Sequence, residues 1–144
     1  MPIIIERPKD KTDYQIIRGG EMKREIKLRA YIRDEGRLLD VNLIDFDDEY
    51  VRVWDEYGEN EEEWLFKDCE LMQYSGLDDI NGKPIYENDI VEFEVGLIRT
   101  KAEVVYSRSQ FIVNMNSVMS RSLGAYSVKV IGNRFENLEL LEAD

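Results

Sequence analysis

The sequence predicts a mainly β protein built from short antiparallel strands. Val, Ile, Phe, Tyr and Trp, which are enriched in strands, make up 40 of the 144 residues, whereas Ala contributes only four. Apolar and polar residues alternate with a period of two through much of the chain, and Gly, Asn and Asp interrupt the alternation at short intervals. With little sign of long helices, these three observations favour a β-sandwich or a small β-barrel.

Residues 1–21 are interpreted as an N-terminal arm with balanced charge, and two readings of it stay open. The segment Arg18-Gly-Gly-Glu-Met22 is what a purine-rich ribosome-binding sequence gives when it is translated in frame, so translation would start at Met22. Alternatively, the arm is a real extension in which Ile3 to Ile5 and Ile16-Ile17 add strand edges.

Residues 22–70 are predicted to form an antiparallel β-meander. The first strand buries one face, made of Ile26, Leu28, Ala30 and Ile32. After the turn signal Asp34-Glu-Gly36 the chain returns through a second alternating strand, which makes a hairpin. Two further strands are expected at 50–54 and 63–66.

Residues 71–144 are predicted to form a second β subdomain. Asn81-Gly82 suits a tight type I′ turn because both residues tolerate a positive φ. Alternating strands follow at 91–95, 102–106 and 126–130, each with one face for a core. Residues 111–123 are interpreted as a strand that runs into a loop, since their Asn and Ser residues are weak helix formers.

The charged and reactive residues exclude several classes of chemistry. With no His and one Cys, the chain has no Ser-His or Cys-His nucleophile, no His- or Cys-rich zinc site and no internal disulfide. The net charge of −12 disfavours nucleic acid or an anionic membrane as the direct partner. No apolar run is long enough for a membrane span or a signal peptide, so we expect a cytoplasmic protein. Because the catalytic and metal-binding residue combinations named above are missing, we also expect no cofactor and no enzymatic activity.

Ten acidic residues lie within 19 positions of the meander, relieved only by Arg52. They are Asp45, Asp47, Asp48, Glu49, Asp55, Glu56, Glu59, Glu61, Glu62 and Glu63. Spaced carboxylates can imitate a phosphate backbone and so occupy the DNA-binding groove of another protein. The simpler interpretation, which we favour, is a solvated face that keeps strand edges from pairing with neighbouring molecules.

Four aromatic residues are candidates for an interaction surface. Trp54 and Trp64 bracket the acidic segment, while Tyr74 and Tyr86 flank the Asn81-Gly82 turn. Exposed aromatics are common anchors of protein interfaces, but a role in the core is the more frequent one for each of them. Cys69 is expected to be a small buried hydrophobe.

Metal chemistry finds little support in the residue spacing. Asp45-x-Asp47 lacks the Gly and the bidentate Glu of a calcium loop. A carboxylate-metal nuclease needs converging carboxylates and a lysine, and the nearest local pair is Glu25-x-Lys27. We therefore expect no metal site.

Three segments resemble the YopX family of phage and prophage proteins. They are Glu70-Leu-Met-Gln-Tyr-Ser-Gly-Leu77, Asn81-Gly-Lys-Pro-Ile-Tyr-Glu-Asn-Asp-Ile-Val91 and Val130-Ile-Gly-Asn-Arg-Phe-Glu-Asn137. The resemblance implies a mainly β protein whose C-terminal part is similar to an SH3-like barrel, from phages or prophages of Gram-positive bacteria, with no established activity. The resemblance implies a glycine at the position of Asn88. We expect the turn to be retained because Asn tolerates the left-handed conformation.

These observations predict an N-terminal meander followed by a C-terminal SH3-like barrel, in an accessory protein that works by binding another protein of phage or host. One alternative is an acidic mimic of DNA that inhibits a host DNA-binding protein. The second alternative is a metal-dependent nuclease. Exposed strand edges leave a homo-oligomer open.

Overall fold

The computed structural model describes residues 2–5, 16–17, 21–22, 25–115 and 120–142. Fourteen β-strands run through these ranges: Ile3–Ile4 (β1), Ile16–Ile17 (β2), Glu21–Met22 (β3), Leu28–Ile32 (β4), Arg37–Asp45 (β5), Tyr50–Trp54 (β6), Glu61–Leu65 (β7), Cys69–Asp78 (β8), Pro84–Tyr86 (β9), Asp89–Val95 (β10), Ile98–Ser107 (β11), Gln110–Asn114 (β12), Ser120–Ser122 (β13) and Lys129–Asn133 (β14). Helix is confined to three 3₁₀ turns among the described residues, at Phe66–Asp68, Leu123–Ala125 and Leu138–Leu141. The prediction of a mainly β, antiparallel protein is confirmed.

The chain divides into two compact units, residues 1–73 and 74–144. In the first unit β4, β5, β6 and β7 form an antiparallel meander, and the first half of β8 returns to pair with β4. Its core consists of Ala30, Ile32, Leu39, Val41, Ile44, Val51, Val53 and Cys69. Ile26, predicted on the buried face, is 63% exposed because β4 begins two residues later.

A β-bulge in β5 changes which of its side chains face the core. Val41 pairs with Val53 and Leu43 pairs with Arg52, so Asn42 is an extra residue on β5. Because the alternation skips at this point, Val41 and Ile44 both belong to the core, whereas Leu43, predicted on the buried face, lies opposite Arg52 on the other face of the sheet. Simple alternation does not predict this.

The second unit contains a five-stranded antiparallel sheet in the order β13-β12-β11-β10-β14. Its core comprises Ile85, Val91, Phe93, Ala102, Val104, Val113, Leu123, Val128 and Val130. The strand predicted near residue 111 is present as β12, while residues 116–119 of the predicted loop lie outside the described residues. The sheet is an open one: within the part of the chain that the structure describes, β13 and β14 are edge strands, and no closed barrel forms.

The turn between β8 and β9 differs from the predicted type. Gly82 has φ 80°, but Asn81 does not have a positive φ, so the turn is not type I′. Asp79 organises it instead: the Gly82 amide donates to the Asp79 carbonyl at 2.9 Å, and Asp79 Oδ1 accepts the amides of Asn81 and Lys83. The side chain of Asp79, the first residue of the turn, therefore selects the turn geometry.

The turn at Asn88 is retained as predicted. Asn88 has φ 69°, the left-handed conformation that glycine favours and Asn tolerates. Its amide donates to the Val104 carbonyl at 2.6 Å, and its carbonyl accepts the Arg134 amide at 2.8 Å. These bonds join the turn to two distant segments of the second unit.

The N-terminal arm falls partly within the described residues. β1 pairs with β5, and β2 pairs with β3 in a separate two-stranded sheet. Residues 6–15 and 18–20 of the arm lie outside the described residues.

Candidate functional site

The acidic residues of the meander are divided among the end of β5, two turns and the strand β7. Asp47, Asp48 and Glu49 are exposed in the turn that joins β5 to β6, and a second acidic turn joins β6 to β7. The two turns therefore lie at opposite ends of β6, a strand of five residues. At roughly 3.3 Å per residue the strand separates them by about 17 Å.

Two of the acidic residues organise the turns in which they lie. Asp45, buried at the end of β5, accepts the amides of Asp47 and Asp48, each at 2.9 Å. Asp55 accepts the amides of Glu59 and Tyr57. The hydrogen bond from the Glu59 amide is the main reason why the pKa of Asp55 is lowered. These carboxylates replace missing backbone acceptors in the turns.

Arg37 binds three glutamates at one end of the meander. Its guanidinium donates to Glu56 at 2.6 and 2.8 Å, to Glu62 at 2.6 and 2.9 Å and to Glu35 at 2.7 Å. The hydrogen bonds to Arg37 lower the pKa of Glu56 to about 2, and those to the glutamates raise the pKa of Arg37. The bidentate geometry makes this a positioned network rather than a diffuse acidic patch.

Arg52 neutralises two more glutamates across the sheet. On the outer face of β6, it contacts Glu63 at 3.1 Å and Glu61 at 3.5 Å on β7. Glu56 and Glu62 are already paired with Arg37, so at least four of the ten acids form ion pairs. Glu59 is exposed in the β6–β7 turn. The acidic segment thus contributes in large part to the fold of the meander.

The two tryptophans occupy different environments. Trp64 packs against the core of the first unit, and its indole Nε1 donates to Glu62 at 3.2 Å. Trp54 pairs with Glu61, lies on the same side of β6 as Arg52, and is half-buried on the outer face. Both tryptophans are half-buried, and Trp54 is the one that lies on the outer face.

A groove of about 390 Å³ surrounds Trp54 on this outer face. It is lined by Ile4, Ile5, Asn42, Leu43, Arg52, Trp54 and Glu61. All seven residues belong to the first unit. The groove combines an indole, aliphatic side chains and an Arg–Glu ion pair, a composition typical of protein-binding surfaces.

Tyr74 and Tyr86 are buried in the second unit rather than displayed. Their rings pack against each other with centroids 5.7 Å apart, and the Tyr74 hydroxyl donates to Asp78 at 2.6 Å. They are only 6% and 8% exposed. Their contacts account for them as packing residues, and a peptide could not stack on either ring in this conformation.

The remaining chemical candidates serve structural contacts. Glu25 and Lys27 pair with each other at 2.9 Å. Cys69 is buried, and this burial raises the pKa of its thiol. Within the described ranges, no three Cys, Asp or Glu side chains converge in a way that could hold a metal ion. No helix in these same ranges is both long and apolar enough to cross a bilayer.

Pattern reasoning did not single out the three buried carboxylates of the second unit, Asp79, Asp89 and Glu103. Asp79 accepts the Val130 amide at 2.9 Å in addition to its own turn, and Glu103 accepts hydrogen bonds from Asn88 and Arg134. An acid two residues before the Asn of an Asn-Gly pair could have indicated a turn cap for Asp79. Glu103 gave no local signal, since its partners lie 15 and 31 residues away in the chain.

The sequence profile of the YopX protein family matches residues 27–142. The chain belongs to the YopX family. The match begins after β1, β2 and β3, so the strand pairing of the arm lies outside it. The family segments that contain Asn88 and Arg134 converge on Glu103, which gives these residues a structural role.

Two solved structures share the fold. Protein EF1440 from Enterococcus faecalis is 24% identical, with a TM-score of 0.58, and the similarity covers 83% of this chain and all of that one. Protein yopX from Bacillus subtilis is 18% identical, with a TM-score of 0.52, over 82% of this chain and 97% of the other. Among curated proteins, none matches this chain.

Proposed function

We propose that this YopX-family protein is a non-catalytic accessory protein, encoded by a phage or prophage, that binds another protein in the bacterial cytoplasm through the Trp54 groove. The observation that carries the proposal is the position of Trp54 on the outer face of the meander. Trp and Arg are the residues that most often dominate the energy of a protein interface. Here both lie in one groove next to aliphatic side chains.

The polar groups of the groove suit binding better than catalysis. Its one carboxylate, Glu61, and its one guanidinium, Arg52, contact each other at 3.5 Å. An Arg–Glu pair offers no neutral base or activated nucleophile near neutral pH. It does offer both a donor and an acceptor to a partner's backbone.

The proposal is tested by affinity capture of the tagged protein from nuclease-treated host lysate, with and without phage infection, read by mass spectrometry. We expect a partner that the wild type retains and that Trp54→Ala loses at least tenfold. Tyr57→Ala is the matched control, because Tyr57 is an aromatic residue, 82% exposed, in the adjacent turn and outside the groove. Circular dichroism of both variants checks that the fold is intact.

The same capture separates the alternatives. Partners that Trp54→Ala retains in full would contradict the groove as the binding site. A host DNA-binding protein that competing DNA displaces, with strong dependence on salt, would favour the acidic DNA mimic instead. Nuclease activity that appears with divalent metal and disappears with chelator would contradict a non-catalytic role.

We also propose that the chain has two subdomains, a β-meander at residues 22–70 and an SH3-like barrel variant at residues 71–144. The supporting feature is the strand order, in which β10, β11, β12 and β13 form a meander and β14 returns beside β10. An experimental structure in which β13 and β14 are brought together by pairing would support it. A flat sheet without such curvature would contradict it.

A further inference from the structure

The N-terminal strand β1 fills an edge of the meander that no other strand of the described residues covers. β4 pairs with β5 only from Arg37 to Asp40, and on the same side β1 pairs with Leu43 and Ile44. The Ile5 amide adds a hydrogen bond of 2.7 Å to the Asn42 carbonyl. Without β1, the backbone of β5 between Asn42 and Ile44 would present open hydrogen-bonding groups beside a buried apolar surface.

The hold of β1 on this edge is small. It pairs through two residues, and Ile4 is 69% exposed. Ile5 is the member of the segment that packs against the core. So short a pairing contributes little stability on its own and remains bound mainly because it is tethered to the same chain.

The edge and the Trp54 groove form one continuous surface. Ile4 and Ile5 line the groove together with Asn42 and Leu43, and Trp54 and Arg52 lie across from them on β6. A segment in place of β1 would therefore bond to the β5 backbone and contact the indole at the same time. The segment that occupies this edge in the structure is therefore an extended run of isoleucines, Ile3 to Ile5.

We propose that the edge of β5 from Asn42 to Ile44 is a strand-addition site for an extended aliphatic peptide of the partner protein, and that β1 occupies it as an internal competitor. The inference rests on the proposed function and names the chemistry of its partner. Main-chain hydrogen bonds would supply affinity, and alternate side chains would supply specificity.

The register shows how a partner could outcompete β1. Ile3 lies opposite Ile44, and Phe46 follows two residues later, in the turn after β5. Phe46 is exposed, with one edge against Phe66. A partner segment that also covers Phe46 would bury apolar area that β1 leaves open. This gain offsets the advantage that the tether gives to β1.

The test uses full-length protein and the synthetic peptide Pro-Ile-Ile-Ile-Glu, which copies residues 2–6. Ile5→Pro removes the amide that bonds to Asn42 and releases β1, whereas Ile5→Ala keeps that amide and is the control for loss of the side chain. We expect Ile5→Pro to bind the peptide at least tenfold more tightly than the wild type or Ile5→Ala. Calorimetry gives the affinity, and a fluorescence change that Trp54→Phe abolishes locates the site.

Three outcomes would overturn the inference. One is equal peptide affinity in Ile5→Pro, Ile5→Ala and wild type. A second is that Ile5→Pro binds a peptide with serine in place of the three isoleucines as tightly as it binds Pro-Ile-Ile-Ile-Glu. A third is a concentration-dependent dimer of the wild type that Ile5→Pro abolishes, since this would assign the edge to the arm of a second copy. Circular dichroism of Ile5→Pro establishes that the variant is folded.

The peptide experiment and the capture experiment can fail separately. If Trp54→Ala loses its partner while Ile5→Pro does not bind the peptide, the proposed function stands and the strand-addition site is wrong. If the peptide binds to Ile5→Pro while Trp54→Ala keeps every partner, the strand-addition site stands and the proposed use of the groove is wrong.

Discussion

The buried carboxylate of Glu103 accepts a hydrogen bond from Arg134 at 2.8 Å, although the two residues are 31 positions apart. Its second oxygen accepts the side-chain amide of Asn88 at 2.9 Å. One side chain on β11 thus fixes the turn before β10 and the segment after β14. Two of the segments by which the chain resembles its family meet at this point.

Removing the Glu103 carboxylate should therefore destabilise the second unit. We expect Glu103→Ala to lower the free energy of unfolding by about 2 kcal/mol, because two donors lose their acceptor. Urea denaturation followed by circular dichroism measures the change. Arg99→Ala, which removes an exposed ion pair with Glu92, is the control, with an expected loss below about 0.5 kcal/mol. Equal losses in both variants would contradict a special role for Glu103.

Asp79 should make stability depend on pH in the acid range. Burial alone would raise its pKa, but the amides of Val130, Lys83 and Asn81 outweigh burial and lower the pKa below the ordinary value of 3.8. Its stabilising contribution is therefore complete above that value and is lost as the pH falls through the lowered pKa. Asp79→Asn should flatten the acid side of a plot of stability against pH. Asp34→Asn, in an exposed turn, is the control, and the same flattening there would contradict the assignment.

The Arg37 network should be visible in the titration of one carboxyl group. Hydrogen bonds from Arg37 hold the pKa of Glu56 at about 2, well below the ordinary value of 4.5. In Arg37→Met we expect the pKa of Glu56 to return toward that ordinary value, which side-chain carboxyl NMR can follow. Arg52→Met should leave the pKa of Glu56 where it is, since Arg52 pairs with Glu61 and Glu63. A low pKa of Glu56 that persists without Arg37 would contradict this account.

Gly132 should not tolerate a side chain. A Cβ there would lie 2.6 Å from Asn137 Oδ1 and 2.8 Å from Asn137 Cβ, and Asn137 Oδ1 already accepts the Asn133 amide. We expect Gly132→Ala to cost about 1 to 3 kcal/mol of stability through this overlap. Gly124→Ala is the matched control, because its added Cβ would meet only Leu77 Cδ1 at 3.8 Å. Thermal unfolding of the two variants measures the difference, and a neutral Gly132→Ala would contradict the predicted clash.

The sequence was most informative where neighbouring residues alone decide the structure. Alternation located the strands that became β4, β5, β10 and β11, because a half-buried strand needs a period of two. Tolerance of a positive φ was correctly expected at Asn88, where the backbone conformation is a property of one residue. A positive φ was wrongly expected at Asn81. The hydrogen bonds of Asp79 organise that turn, and Asp79 lies outside the Asn-Gly pair on which the expectation rested.

The candidate site shows the same division. Sequence position could nominate Trp54 and Trp64 together, because both border the acidic segment. Strand register then placed Trp64 toward the core and Trp54 on the outer face beside Arg52. The pairing of the acids with Arg37 and Arg52 also depends on contacts between strands, which composition does not reveal.

By itself, the sequence determined that this is a mainly β, acidic protein without histidine chemistry, since composition and a period of two are local properties. Tertiary structure alone decided that β1 covers the edge of β5, that the bulge at Asn42 places Ile44 rather than Leu43 in the core, and that Glu103 joins Asn88 to Arg134. The physical reason is that pairing register and buried hydrogen bonds join residues far apart in the chain. Their energies depend on which strands become neighbours.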